Sequence, residues 1–519
     1  MRTRLLILIA LASVAGAVHS QPAPVAPYET DTWATPANAV DAVVQATLKK
    51  QGLDLQRPCS DEVFCRRVFV DLIGTLPQPA EVQGFLADKR PDKRAALIES
   101  LFGREEFAVF QTLKWCDLLR VKSEFPINLW PNAVQAYHRW IFECMRANMP
   151  YDQFAKALLT ASGSNFRAAP ANFYRAMQGR GPIPTAQAVG LTFLGMRVDR
   201  WPEARRDGFA AFFSRVAYKS TGEWKEEIVY LDPKATAPVK AIFPDGTAVT
   251  IPAGQDPRQV FAEWLTTSGN KYFGRAIVNR MWYWLMGQGI VQEPDDIRGD
   301  NPAACPELLM LLDKELVASK YDLRSVFRLI LNSRTYQQSS LEPAPTPEKA
   351  KFARYNVRRL HAEVLVDALC WIGGKGEEYS SPIPEPFTFT PRDQRTIALS
   401  DGSITSQFLE TFGRPSRDTG MEAERNNAPS DAQSLYLLNS TEMRQRIESS
   451  PMLRTLYGSA QGKPAEMVRG VYLIVLSRYP TEKEQATALE YLKSGQQSRQ
   501  ALNDLTWALI NGKEFLYRH

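Results

Sequence analysis

The segment from Ser400 to Asn427 gathers the densest set of side chains able to do chemistry. It reads SDGSITSQFLETFGRPSRDTGMEAERNN and carries Arg414, Arg417, Asp418, Glu422, Glu424, Arg425, Asn426 and Asn427. Gly413 and Gly420 stand beside them, where a backbone without Cβ can turn sharply. Two arrangements fit this composition. Opposite charges at such density form an ion-pair lattice that orders the loop. Alternatively, arginine forks line a polar pocket that clamps an anionic or hydroxyl-rich ligand. In a catalytic version of the pocket, Asp418 with Glu422 or Glu424 supplies the paired carboxylates of a glycosidase.

A second cluster lies in FGRAIVNRMWYWLMGQGIVQEPDDIRGDNP. Arg275, Asn279 and Arg280 fall about one turn apart and share a helix face, with Trp282 nearby. They complete the expected ligand-binding set. Asp295, Asp296 and Asp300 follow in a loop broken by Gly and Pro. They lack the alternating spacing and terminal Glu of an EF-hand, so helix capping is their expected role.

Other chemistry finds little support. His138, His361 and His519 are the histidines beyond the N-terminal leader. His138 in QAYHRWIF reads as a hydrogen-bonded core residue, and His361 in RRLHAEV as a helix start. No HExxH, GxSxG or P-loop occurs, and the Ser/Gly turn at Thr160 to Asn165 has no partner motif. No metal site and no cofactor are expected, since the six cysteines are too widely spaced for zinc and form no CxxCH. Net charge is +5 on 119 charged side chains (62 plus 57). That bias is mild and unclustered, which excludes nucleic acid as a partner class.

The elements that must position these residues are helical. Arg2 and Arg4 precede a short apolar run, so residues 1–20 read as a signal peptide and the mature chain as extracytoplasmic, periplasmic or secreted. Residues 21–38 form an extended leader rich in Pro, Ala and Thr. A helical domain over 39–222 follows, with a Ser60 cap and core-facing Trp115, Leu118, Trp140 and Ile141. Residues 223–255 alternate and carry a Pro244-Asp245-Gly246-Thr247 turn, the pattern of a small β insert. A C-terminal helical domain spans 256–519. It opens at Asp256-Pro257, breaks at the PAPTP run 343–347 and holds a long polar loop over 373–427. No later segment is apolar and long enough to be transmembrane. The fold class is therefore mainly α, multi-helical, with a β-hairpin insert. The cysteines are either buried free thiols or disulfides, and Cys116 with Cys144, on neighbouring helices, is the expected pair.

The two ends echo each other. CRRVFVDLIGTLPQPAEVQGFL and MVRGVYLIVLSRYPTEKEQATALEYL each give an amphipathic helix, a Pro break and a Glu-containing helix start. Each is followed by a further helix ending in Glu-Phe, Glu106-Phe107 and Glu514-Phe515. One helical unit used twice predicts two ends that pack together or play equivalent roles.

FCRRVFVDLIGTLPQPAEVQGFL resembles the opening of a large secreted planctomycete and verrucomicrobial family. That family is built from two adjacent cytochrome-associated domains of unknown function, 1549 and 1553. WLTTSGNKYFGRAIVNRMWYWLMGQGIVQEPDDIR resembles the start of the second domain, and ERNNAPSDAQSLYLLN and LSRYPTEKEQ its later blocks. The match covers almost the whole mature chain. Many relatives carry a CxxCH-type segment after Phe-Leu-Gly, whereas here Phe193-Leu194-Gly195 runs to Trp201 without Cys or His. The resemblance therefore implies fold, secretion and domain order, and no haem or metal role. It implies an exported, non-catalytic binding or scaffold protein whose partner is a glycan or another exported protein, because such organisms often live on complex polysaccharides. The alternatives are a glycan-active hydrolase using the 400–427 carboxylates and an accessory subunit of a periplasmic electron-transfer assembly.

Overall fold

The computed structural model describes residues 24–341, 351–460, 462–494 and 498–519. Residues 1–20, expected to be a signal peptide, and the PAPTP run lie outside the described residues. The fold is mainly α, with antiparallel sheets of two or three strands. Helix starts follow the sequence signals. Ser60 accepts from the Val63 N–H to open Asp61–Ile73, with Asp61 and Glu62 in its first turn. Asp256 caps Pro257–Thr266 through the Arg258 N–H. His361 stands at the N-cap position of Ala362–Gly373.

The β region begins at Val216, earlier than the alternation suggests. Glu227–Leu231 lies between Val216–Ser220 and Gly163–Ser164, antiparallel to both. The Ser/Gly turn thus serves as an edge strand. Val239–Ile242 pairs with Ala248–Ile251 around the expected turn.

Two hydrophobic cores divide the chain, and their boundary is not at the β insert. The first takes buried residues from Val40 to Tyr355 together with Leu473, so its members from Phe261 to Tyr355 pack into the same core as the N-terminal helices. The second runs from Leu360 to Phe515 and also takes Val70, Phe110 and Leu113. The Glu105–Leu118 helix therefore serves both cores and forms the seam between them.

The two end segments meet there. Arg66 donates to the Val475 and Phe515 carbonyls at 2.9 and 3.0 Å. In the N-terminal segment, Arg104 joins Glu81 and Glu106 at 2.7 and 2.6 Å. In the C-terminal one, Arg478 joins Glu484 and Glu514 at 2.7 and 2.6 Å. Both arginines tie the Glu near a helix start to the Glu of Glu-Phe. That dipeptide opens a new helix in each case, Glu105–Leu118 and Lys513–Leu516, and does not close the preceding one.

The expected Cys116–Cys144 disulfide does not form. All six cysteines are free thiols. Cys116 and Cys144 are 0% and 3% exposed and fill the first core as small apolar groups near the Tyr137 hydroxyl.

Candidate functional site

Most of the charged loop is interior, and its partners explain why. Arg417 is fully enclosed and donates from Nε to Asp117 Oδ1 at 2.8 Å. Arg425 bridges Asp117 Oδ2 and Glu363 Oε2, each at 2.6 Å. Arg414 lies 3.9 Å from Glu363 and donates to the carbonyls of Ile404 and Asp401. Burial is the largest influence on the Glu363 carboxyl and raises it, but the charge and hydrogen bond of Arg425, with the charge of Arg414, together outweigh it and hold Glu363 below its usual range. Asp117 belongs to the seam helix and Glu363 to the second core, so the lattice joins the two.

The remaining loop residues divide. Glu424 accepts from the Asp418 and Thr419 N–H groups and the Thr419 hydroxyl, pinning the turn. Asp418 pairs with Lys122 at 2.6 Å. Glu422 accepts from Trp284 Nε1 at 2.7 Å, and burial with nearby Asp295 pushes its carboxyl up to about 7. Asn426 is exposed and accepts from the Ala428 N–H, while the Asn427 side-chain oxygen is buried without a partner. Gly413 and Gly420 carry φ of 79° and 76°. A Cβ on them would stand 1.9 Å from the Asn426 carbonyl and 2.5 Å from the Leu118 carbonyl, so the tight turns need glycine.

The second cluster is likewise structural. Arg280 is fully buried, pairs with Asp295 at 2.7 Å and donates to the carbonyls of Leu191 and Thr192. Asn279 exchanges two hydrogen bonds with the Val291 backbone. Arg275 reaches Asp313 at 3.7 Å. Of the Asp residues expected to cap helices, Asp295 alone meets a helix start, its Oδ2 accepting the Glu422 N–H at 2.7 Å at the opening of the Glu422–Glu424 turn while Oδ1 pairs with Arg280. Asp296 instead meets Arg200 and Arg298, and Asp300 meets Arg298.

Open space lies elsewhere. A cleft of about 430 Å³ runs between Met177–Asp199 and Asp418–Met421, with Arg120, Met196 and Asp418 in its lining. A second cleft, of about 250 Å³, lies between the Pro131–Arg146 helix and the loop around Thr388–Ile404. Gln135, His138, Thr388, Phe389 and Ser400 line it. His138 corrects its expected role. It is half-buried and has no hydrogen-bond partner among the described residues, and burial pushes its imidazole down to about 4.

One exposed ring, Phe389, lines this second cleft, and Phe387, Trp130 and Trp224 lie beyond it. Phe389 is 67% exposed, Phe387 49% and Trp224 71%. Phe387 packs at 5.4 Å on Trp130, and Lys225 bridges Trp130 and Trp224 at 5.7 and 5.4 Å. Trp130 carries φ 72° with ψ 147°, a region costly for any residue but glycine, and Lys225 carries φ 62°.

Sequence comparison now places the chain. Residues 39–208 match the model for "Protein of unknown function (DUF1549)" and residues 257–492 that for "Protein of unknown function (DUF1553)". The chain belongs to this two-domain family. Comparison with curated proteins and with solved structures finds no match. The lattice thus ties Asp117 of the DUF1549 domain to Glu363, Arg417 and Arg425 of the DUF1553 domain. The aromatic cleft also draws on both, with Pro131 and His138 from the first and Phe389 from the second. Among the described residues, no helix is long and apolar enough to cross a membrane.

Proposed function

We propose that the protein is an exported, non-catalytic glycan-binding protein, and that the cleft beside His138 with its aromatic rim is the binding face. The exposed rings carry this reading. Phe387 and Phe389 stand two residues apart on one loop and Phe387 packs on Trp130, and exposed rings gathered in this way mark an interaction site. Flat rings offer apolar faces to the C–H side of a pyranose, while Gln135, Thr388 and Ser400 supply neutral donors and acceptors for its hydroxyls. The strained backbone at Trp130 supports a role, since such strain persists where it holds a side chain in a working position.

The carboxylates support binding over hydrolysis. Asp418 is paired with Lys122, Glu424 is taken up by backbone N–H groups, and Glu422 faces Trp284. No two of them stand free across one cleft, as a glycosidase pair requires. Affinity electrophoresis in polysaccharide gels, preceded by a glycan array, tests the reading with the purified chain. Retardation is expected, with Phe389→Ala and Trp224→Ala weakening it at least about tenfold and leaving the melting temperature unchanged. Variants retarded like wild type, or an array without a ligand, would refute it. Cell fractionation tests export.

A further inference from the structure

A different cluster sits at the seam of the two cores, and it is cationic. Lys114 on the seam helix is 7% exposed and makes no hydrogen bond or ion pair among the described residues. Its ammonium lies 4.5 Å over Phe110 and 5.1 Å over Trp284. Arg358 and Arg518 share one carboxylate, Asp71 Oδ1, at 3.3 and 2.7 Å. Asp71 Oδ2 is taken by the hydroxyls of Tyr336 and Tyr355 at 2.9 and 3.0 Å. Burial first, and then the charges of Arg425, Arg518, Lys114 and Arg358, hold the imidazole of His361 well below its usual range.

Donors and charges are both in excess here. His361 Nδ1, Arg358 Nη1 and Arg518 Nε and Nη2 are buried without partners. Arg425 is neutralised by Glu363 and Asp117. The other three cations face Asp71, and Glu422, hydrogen-bonded to the Trp284 indole, also bears on Lys114. Buried donors are nearly always satisfied, and concentrated like charge in an interior is costly unless something offsets it. His361 and Arg358 keep partial exposure, so the cluster is not sealed.

We propose that this seam binds a small oxyanion, free or as the acidic group of a larger ligand, between Lys114, His361, Arg358 and Arg518. Such a group accepts several charge-assisted hydrogen bonds at once and supplies the missing negative charge. Bound there, it bridges helices of both domains and adds to the stability of their junction. The proposal stands independently of the aromatic cleft.

Thermal unfolding of the full chain in sodium sulfate, against sodium chloride at equal ionic strength, is the test. Wild type is expected to show a saturable rise in melting temperature with sulfate, accompanied by a change in Trp284 emission. Lys114→Met, which removes an unpaired buried ammonium, should melt higher than wild type without sulfate and lose the saturable response. His361→Ala should weaken the half-saturating concentration at least tenfold, and it serves as the control if Lys114→Met fails to fold. Sodium glucuronate with the same saturation would assign the site to the acid group of a sugar, and sulfate alone to a free ion. Failure of both anions to saturate in wild type, or equal responses in wild type and both variants, would overturn the proposal.

Discussion

Replacing Arg417 measures how much the buried lattice contributes to joining the cores. The side chain is 0% exposed. Nε donates to Asp117 at 2.8 Å, and Nη1 donates to the Val121 and Ser400 carbonyls at 3.2 and 3.0 Å. In Arg417→Ala three acceptors lose their donor. All three bonds come from the charged guanidinium, and at about 1.5 kcal/mol each, the low end for a charged group, they sum to about 4.5 kcal/mol. Two features lower that sum. Asp117 keeps Arg425 at 2.6 Å, and the desolvation cost of the guanidinium disappears with it. The expected net loss is about 3 kcal/mol. The backbone provides an internal control. Arg417 sits at φ 59°, where a side chain costs about 1 kcal/mol relative to glycine. Arg417→Gly should therefore be more stable than Arg417→Ala by about 1 kcal/mol, the reverse of their order in a helix. Urea unfolding at pH 7, followed by circular dichroism, reads both. An alanine variant within about 0.5 kcal/mol of wild type, or a glycine variant below it, refutes the reasoning.

Burial and Arg518 bring the Lys114 ammonium down to about 7, while the unfolded lysine keeps its proton to much higher pH. The unfolded state then binds more protons above pH 7, so wild-type stability should rise from pH 7 towards 10 by up to about 1.4 kcal/mol per unit; Lys114→Met should flatten that slope in urea midpoints. The three histidines act at the acid end, since burial holds His138 and His519 near 4 and His361 well below its usual value. Their contribution is intact above the unfolded imidazole value and lost as pH falls towards 4; Glu422, raised to about 7, opposes it with a contribution lost as pH rises through 7. His138→Asn should reduce the acid loss in thermal melts between pH 6.5 and 4.5. For the cysteines, burial raises the thiols of Cys116, Cys144 and Cys370 to about 12, so in native protein only the partly exposed Cys370 should react, slowly, with a thiol reagent. All six should titrate after unfolding, and a count of four would restore the disulfide.

The helical elements were legible because their signals are local. Ser60 and Asp256 stand directly before the helices they cap, and the two ends of the chain meet through Arg66. The ion-pair alternative for the 400–427 loop was legible as composition, yet its partners were not. Asp117 stands 300 residues from Arg417, and nothing near it in sequence marks it as the acceptor. Lys114 reads as one polar position on a core helix, and its lack of a partner appears only in three dimensions. The aromatic rim had a faint signal in Glu-Pro-Phe-Thr-Phe-Thr-Pro at Glu385 to Pro391, two rings in a proline-broken loop with no period that buries them. The core boundary near residue 356 had none, because the segment after the β insert is as helical as the one that follows.

The pairing of Asp71 with Arg518 links residues 447 positions apart, beside a strand that joins Arg358–Arg359 to Tyr517–Arg518. Asp71 also holds Arg358 and accepts from the hydroxyls of Tyr336 and Tyr355. One carboxylate on an early helix thus staples both strands of the pair and two core tyrosines, and freeing it from any one of them leaves the others facing a buried charge with fewer partners.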